Sequence, residues 1–236
     1  MAIRVLGREI PAYFKIYWDT ISADVDVPVE YIEEGHSAIF GDKGYDVTGP
    51  ELPDWTGLPD DDFAYHIAHE LTHMAQRSRG YPKTIRGRQY HSGSAEARIG
   101  GDLEELVLHP HLEQTLREAG FRWDFINARL MKSALDGITN SPPPEFGTPW
   151  FFTWAIRYCD LQLGLSPEQW NRVEAAFRTR VTGVAELGEE LVSIIREVGW
   201  GTREQALDSL VGIRDSLGLK VNDVVLVLDP TTGNIL

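Results

Sequence analysis

Within the stretch Phe63–Gln76, the residues His69, Glu70, Leu71, Thr72 and His73 read H-E-x-x-H. Two histidines four apart on a helix project from one face and can both reach a single metal ion. The glutamate beside the first lies about 100° round the helix, close to the water that such an ion activates but not a ligand itself. The chemistry open to this set is hydrolysis, with imidazoles holding a Lewis-acidic ion and a carboxylate moving protons.

That chemistry requires a helix, and the flanks supply one. Asp60, Asp61 and Asp62 offer a capping residue and first-turn negative charge. Gly80 and Pro82 end the run, and Arg77 and Arg79 suit the macrodipole of the last turn. At about 100° per residue, Asp62, His66, His69, His73 and Gln76 share one stripe. Phe63, Ile67, Leu71 and Met74, with Ala64, Ala68 and Ala75, fill the opposite arc. The spacing predicts a helix with one face in the core and the other on a cleft. An isolated match to the motif is commonly solvated helix surface, but the periodicity, the marked ends and the polar stripe converge on metal binding.

The pattern resembles the zincin metallopeptidases from the active helix to about Leu106, under a quarter of the chain. The metzincin extension needs Gly at 76 and His at 79, where this chain has Gln76 and Arg79. The resemblance therefore implies the gluzincin pattern, with zinc as cofactor and a third ligand, commonly Glu, on a second helix. It also implies an α+β fold in which a small sheet lies beside the active helix and offers an edge strand to extended substrate.

Gly93–Leu106 reads as that second helix, capped by Ser94 or Ser92. Glu96 is the expected third ligand. It lies early among Ala95, Ala97 and Gly100, small residues that let this helix approach the active one closely. Glycine inside a helix costs about 1 kcal/mol relative to alanine, so Gly100 and Gly101 point to close packing. Asp102, about 240° round from Glu96, competes for the role, as do His91, Glu104 and Glu105. Glu104 and Glu105 otherwise read as solvent-facing charges. His109 and His111 flank Pro110, which marks a break after Leu108, and both read as structural before ligating. Tyr90, His91 and Tyr158 remain open as donors to a developing oxyanion.

Composition bounds the partners. The chain has 236 residues, a net charge of −14 and one cysteine, Cys159. Such acidity disfavours nucleic acid and anionic membranes. A single cysteine rules out an intrachain disulfide and a finger-type zinc site, so any zinc relies on His and carboxylate. With no signal-peptide pattern or membrane-length apolar run, the expected location is cytoplasmic. Arg77, Arg79, Lys83, Arg86 and Arg88 form a basic patch in a stretch without acidic residues. It reads first as a solvated surface that balances nearby acid, and second as a selector of acidic peptide substrates.

The elements around the motif follow in order. Pro11 to Ser22 reads as a helix; Val25–Glu33, Ser37–Phe40 and Tyr45–Thr48 read as strands, with Ser37–Phe40 the expected edge; Gly49–Pro59 is a loop. Phe121–Asp136 and Trp150–Leu163 are expected helices separated by a proline-rich loop, with Trp150, Phe151, Phe152 and Trp154 as packing aromatics. Capping boxes at Ser166–Gln169 and Thr202–Gln205 open helices running to about Gly199 and Leu217. Val221–Pro230 reads as a strand followed by a turn at Thr231–Gly233, which either returns to the N-terminal sheet or seats a terminus against a partner. The expected organisation is a catalytic core over 1–140 and a helical region over 141–236 that completes the cleft, or one domain throughout. The expectation for function is a zinc peptidase with ligands His69, His73 and Glu96 and base Glu70. The rival is a non-catalytic zincin-like scaffold, in which an intact Glu70 would have no use.

Overall fold

The apolar periodicities set the architecture: the described residues are mostly helical, with small antiparallel sheets. The computed structural model describes residues 4–5, 8–9, 11–24, 31–34, 37–40, 45–46, 59–122 and 124–236. Most of the expected Gly49–Pro59 loop and parts of the expected strands Val25–Glu33 and Tyr45–Thr48 lie outside them. Compactness divides the chain into two units, Met1–Arg79 with Leu112–Trp123 and Gly80–His111 with Asp124–Leu236.

In the first unit, β1 (Arg4–Val5) pairs with β2 (Arg8–Glu9). Helix α1 (Ala12–Ile21) follows Pro11 as expected. Strands β3 (Tyr31–Glu34), β4 (Ser37–Phe40) and β5 (Tyr45–Asp46) form an antiparallel sheet in sequence order. Ser37–Phe40 is thus the middle strand rather than the expected edge, because β3 pairs with it on one side and β5 on the other. Helix α2 (Asp60–Ser78) carries the motif. Its N-cap is Pro59, and no side chain caps it; the three aspartates occupy the first turn, where their charge suits the macrodipole, and Asp61 Oδ1 also accepts the Tyr13 hydroxyl at 2.7 Å. Phe14, Tyr17 and Ile21 of α1 are buried, as are Phe63, Ile67 and Leu71 of α2. Phe121 closes this core edge-on against Tyr13, Phe14 and Tyr17.

The second unit opens with β6 (Lys83–Arg86), in a stretch whose charges suggested only a surface loop. It pairs with β7 (Val225–Asp229), which pairs in turn with β8 (Asn234–Ile235). The C-terminal strand therefore joins β6, not the N-terminal sheet. Val225, Val227 and Asp229 are buried on one face.

Helix α3 (Ala95–Glu118) is much longer than expected and runs through Pro110 without ending. A proline inside a helix costs about 3 kcal/mol. Leu106 and Val107 before it and Leu112 and Leu116 after it are all buried, and each such side chain contributes about 1.5–3 kcal/mol. Burial on both sides of the proline outweighs the lost backbone bond.

The remaining helices are α4 (Asp124–Asn140), α5 (Pro149–Gly164), α6 (Pro167–Arg180), α7 (Thr182–Val198) and α8 (Arg203–Ser216). Both expected capping boxes form, at Ser166–Gln169 and Thr202–Gln205. The first opens two helices rather than one, since Val181 breaks the run at φ −141°, within the β-branched and glycine-containing Thr179–Gly183. Helix α5 packs on α7 so closely that a Cβ at Gly188 would lie 2.3 Å from Tyr158 Cδ1. Of the expected packing aromatics, Phe151 and Trp154 are buried, while Trp150 stays 45% exposed.

Candidate metal centre

Helix α2 is held from behind by its apolar arc, which leaves His66, His69, Glu70 and His73 half-buried on the other side. Gln76, expected on the same open stripe, is fully buried. The Nε2 atoms of His69 and His73 stand 3.2 Å apart, with ring centroids at 4.8 Å and planes at 78°. Glu70 Oε1 lies 4.0 Å from His69 Nε2.

This pair fits a metal ion. Two imidazole nitrogens on a tetrahedral zinc, at about 2.0–2.1 Å each, would be separated by about 3.3 Å. Two Nε2 atoms converging on one point leave two arrangements: one ring donates to the other, or both lone pairs face a shared cation. The neighbouring carboxylate sits beside that point, where it can take a proton without replacing a ligand.

Burial pushes His66 down to about 4, so it is neutral at neutral pH. Burial, followed by the charges of Glu113 and Glu70, raises the Tyr65 phenol well above its ordinary range, with Arg117 opposing. Tyr65 therefore remains a protonated donor, with its ring 5.9 Å from that of His69. Glu113 and Arg117 belong to the part of α3 that lies in the first unit. Sequence reasoning missed Glu113, although its spacing of four from His109 and from Arg117 puts all three on one face of a helix once Pro110 is known not to end it.

The other sequence candidates have local roles in the second unit. Glu96 is half-buried in the first turn of α3, which Ser94 caps through a hydrogen bond from the Ala97 N–H at 3.1 Å. The small-residue argument for its approach to α2 changes, because the close neighbour of Gly100 is Thr84 of β6, 3.3 Å from a Cβ placed there. Gly101 faces open space. Asp102 accepts from the Thr153 hydroxyl of α5 at 3.1 Å. Burial, resisted by that bond and aided by Glu105, lifts its carboxyl to about 6, and Arg157 and Arg98 oppose the rise.

Glu104 is not a plain surface charge. Its Oε2 accepts the Thr84 backbone N–H at 2.8 Å and hydroxyl at 3.1 Å. Glu105 is exposed, as expected. His91 is exposed, and its Nδ1 accepts the Gly93 N–H at 3.2 Å. Tyr158 is fully buried against Trp170 and Phe177, so it belongs to a helical core and not to an oxyanion site. The basic patch divides: Arg79 pairs with Asp24 at 2.6 Å in the first unit, while Lys83, Arg86 and Arg88 are exposed in the second.

Among the described residues no helix is long and apolar enough to cross a membrane. The chain matches no protein-family model, no curated protein and no solved structure.

Proposed function

We propose that this chain is a zinc-dependent hydrolase of the metallopeptidase type, with His69 and His73 as ligands and Glu70 as general base. The observation that carries the reading is the convergence of the two Nε2 atoms at 3.2 Å, with the Glu70 carboxylate 4.0 Å from the first. Bound zinc would supply Lewis acidity to a substrate carbonyl and to water. Glu70 takes a proton from the attacking water and hands it to the leaving nitrogen, a transfer that needs no ligand change. The half-buried setting strengthens both interactions by lowering the local dielectric relative to water.

For the third ligand we propose His109 ahead of Glu96. His109 stands four residues before Glu113 on an unbroken helix, hence on the face that carries the neighbour of Tyr65. An imidazole is the donor type that would complete a three-ligand set with His69 and His73. Three protein ligands leave a fourth position open, as a catalytic zinc requires.

Metal content tests the reading directly. Purified protein is expected to hold about one zinc per chain, and His69→Ala or His73→Ala to lose it. Full zinc retention in both variants would sink the assignment.

A further inference from the structure

The back of the motif helix carries a feature that the proposed chemistry leaves unused. The Tyr17 hydroxyl lies 2.7 Å from the Ala68 carbonyl and 2.5 Å from Thr72 Oγ1. Thr72 Oγ1 itself lies 2.8 Å from the same carbonyl. Three oxygens thus form a closed triangle with only two hydroxyl protons between them. Two of its sides carry a hydrogen at any moment, and the Ala68 carbonyl accepts in each of the three possible arrangements. Tyr17 is 2% exposed and Thr72 3%, so water does not compete.

Ala68 and Thr72 immediately precede His69 and His73. The turn of helix that the triangle spans is therefore the turn that sets the separation of the two imidazoles. A threonine hydroxyl bonded back to the i−4 carbonyl bends a helix, and a second donor on that carbonyl fixes how far it bends. The tyrosine is itself immobilised, since its ring packs edge-on at 5.3 Å from Phe121 and at a tilt, 5.8 Å away, on Phe14. Side-chain packing in α1 is in this way transmitted to the spacing of two nitrogens on the opposite face of α2.

We propose that Tyr17 is a positioning residue of the metal centre, acting through the Thr72 hydroxyl and the Ala68 carbonyl on the His69–His73 separation. The proposal rests on the reading of that pair as metal ligands.

Cobalt(II) is the probe, because its visible absorption reports ligand geometry and its titration reports affinity. Tyr17→Phe keeps the ring packing and removes the hydroxyl. It is expected to weaken cobalt binding by about tenfold or more and to shift the absorption bands, with the helical circular dichroism signal of wild type retained. Thr72→Val, which removes the other hydroxyl at constant volume, should do the same and serves if Tyr17→Phe fails to fold. Thr72→Ser, which restores the hydroxyl, should return both affinity and spectrum to wild type. Wild-type spectra and affinities in whichever of Tyr17→Phe and Thr72→Val folds overturn the proposal and leave the metal reading standing. Absence of cobalt binding by the wild-type protein overturns the metal reading, and the positioning role with it.

Discussion

Glu104 of α3 accepts the backbone N–H of Thr84 at 2.8 Å, so the edge of β6 turned away from β7 is closed by a helix carboxylate at that residue. An exposed strand edge is a template for pairing with another chain, and natural proteins commonly cover it. Here the cover is a charged acceptor, which bonds an amide more strongly than a neutral one does. The consequence reaches function, because extended substrate cannot add to β6 at Thr84 without displacing Glu104.

Glu104→Ala would leave the half-buried Thr84 amide without its acceptor, while the Thr84 hydroxyl keeps the Gly100 carbonyl at 3.0 Å. The expected loss of stability is about 1–3 kcal/mol, whereas Glu105→Ala, one residue on and exposed, should stay within about 0.5 kcal/mol. Chemical denaturation of both variants checks this. Equal midpoints would show that Glu104 contributes no more than an ordinary surface charge.

The contrast between these two glutamates shows what the sequence could and could not disclose. Helical spacing alone placed both on a solvent face, since nothing local indicates a strand at Lys83–Arg86. That strand exists because Val225–Asp229, about 140 residues later, pairs with it, and pairing at such range leaves no local mark. Pro110 misled in the opposite direction: the local rule ends a helix there, and the buried leucines on either side carry it through. Where local chemistry is self-contained, as in the capping boxes at Ser166–Gln169 and Thr202–Gln205, the expectation survives in the structure. Tyr17 was visible only as one member of an apolar stripe. Its hydroxyl acquires meaning from Ala68 and Thr72, some fifty residues on.

Asp102 gives stability a pH dependence. Its carboxyl is lifted from the ordinary 3.8 to about 6, chiefly by burial, so the folded state holds the proton more tightly than the unfolded chain. The associated stability is complete below about 3.8 and is lost as pH rises toward 6, leaving a constant cost above. Asp102→Asn retains an acceptor for Thr153 without the charge. Relative to wild type it should gain about 1 kcal/mol at pH 7.5, roughly 2–4 °C in melting temperature, and nothing at pH 4. A difference independent of pH would dismiss burial of the charge as its source.

The identity of the third ligand is open to a paired substitution. His109→Ala is expected to lower zinc affinity by about a hundredfold or more, with Glu96→Ala close to wild type. Competition with a chromophoric chelator measures both. The reverse ranking would return the protein to the Glu-ligand arrangement that its motif resembles. Loss in both variants, with unchanged melting temperature, would mean that neither residue acts alone as the third ligand.

The last expectation concerns Glu70, whose Oε1 is 4.0 Å from His69 Nε2. A carboxylate in that position can exchange a proton with the attacking water and then with a leaving nitrogen, and the amide of glutamine can do neither. Glu70→Gln preserves length, planarity and an acceptor oxygen, so folding and zinc content should remain near wild type. Turnover should fall by about 10²–10⁴-fold, the usual loss for general acid–base catalysis, with the effect in kcat rather than KM. The substrate is found by exposing the wild-type protein to a mixed peptide library read by mass spectrometry, enriched in acidic peptides because Lys83, Arg86 and Arg88 are exposed. Equal cleavage by wild type and Glu70→Gln would place the activity elsewhere. Zinc binding without cleavage of any peptide by wild type would favour a metal-stabilised scaffold over an enzyme, since the His pair would then be used and the base beside it would not.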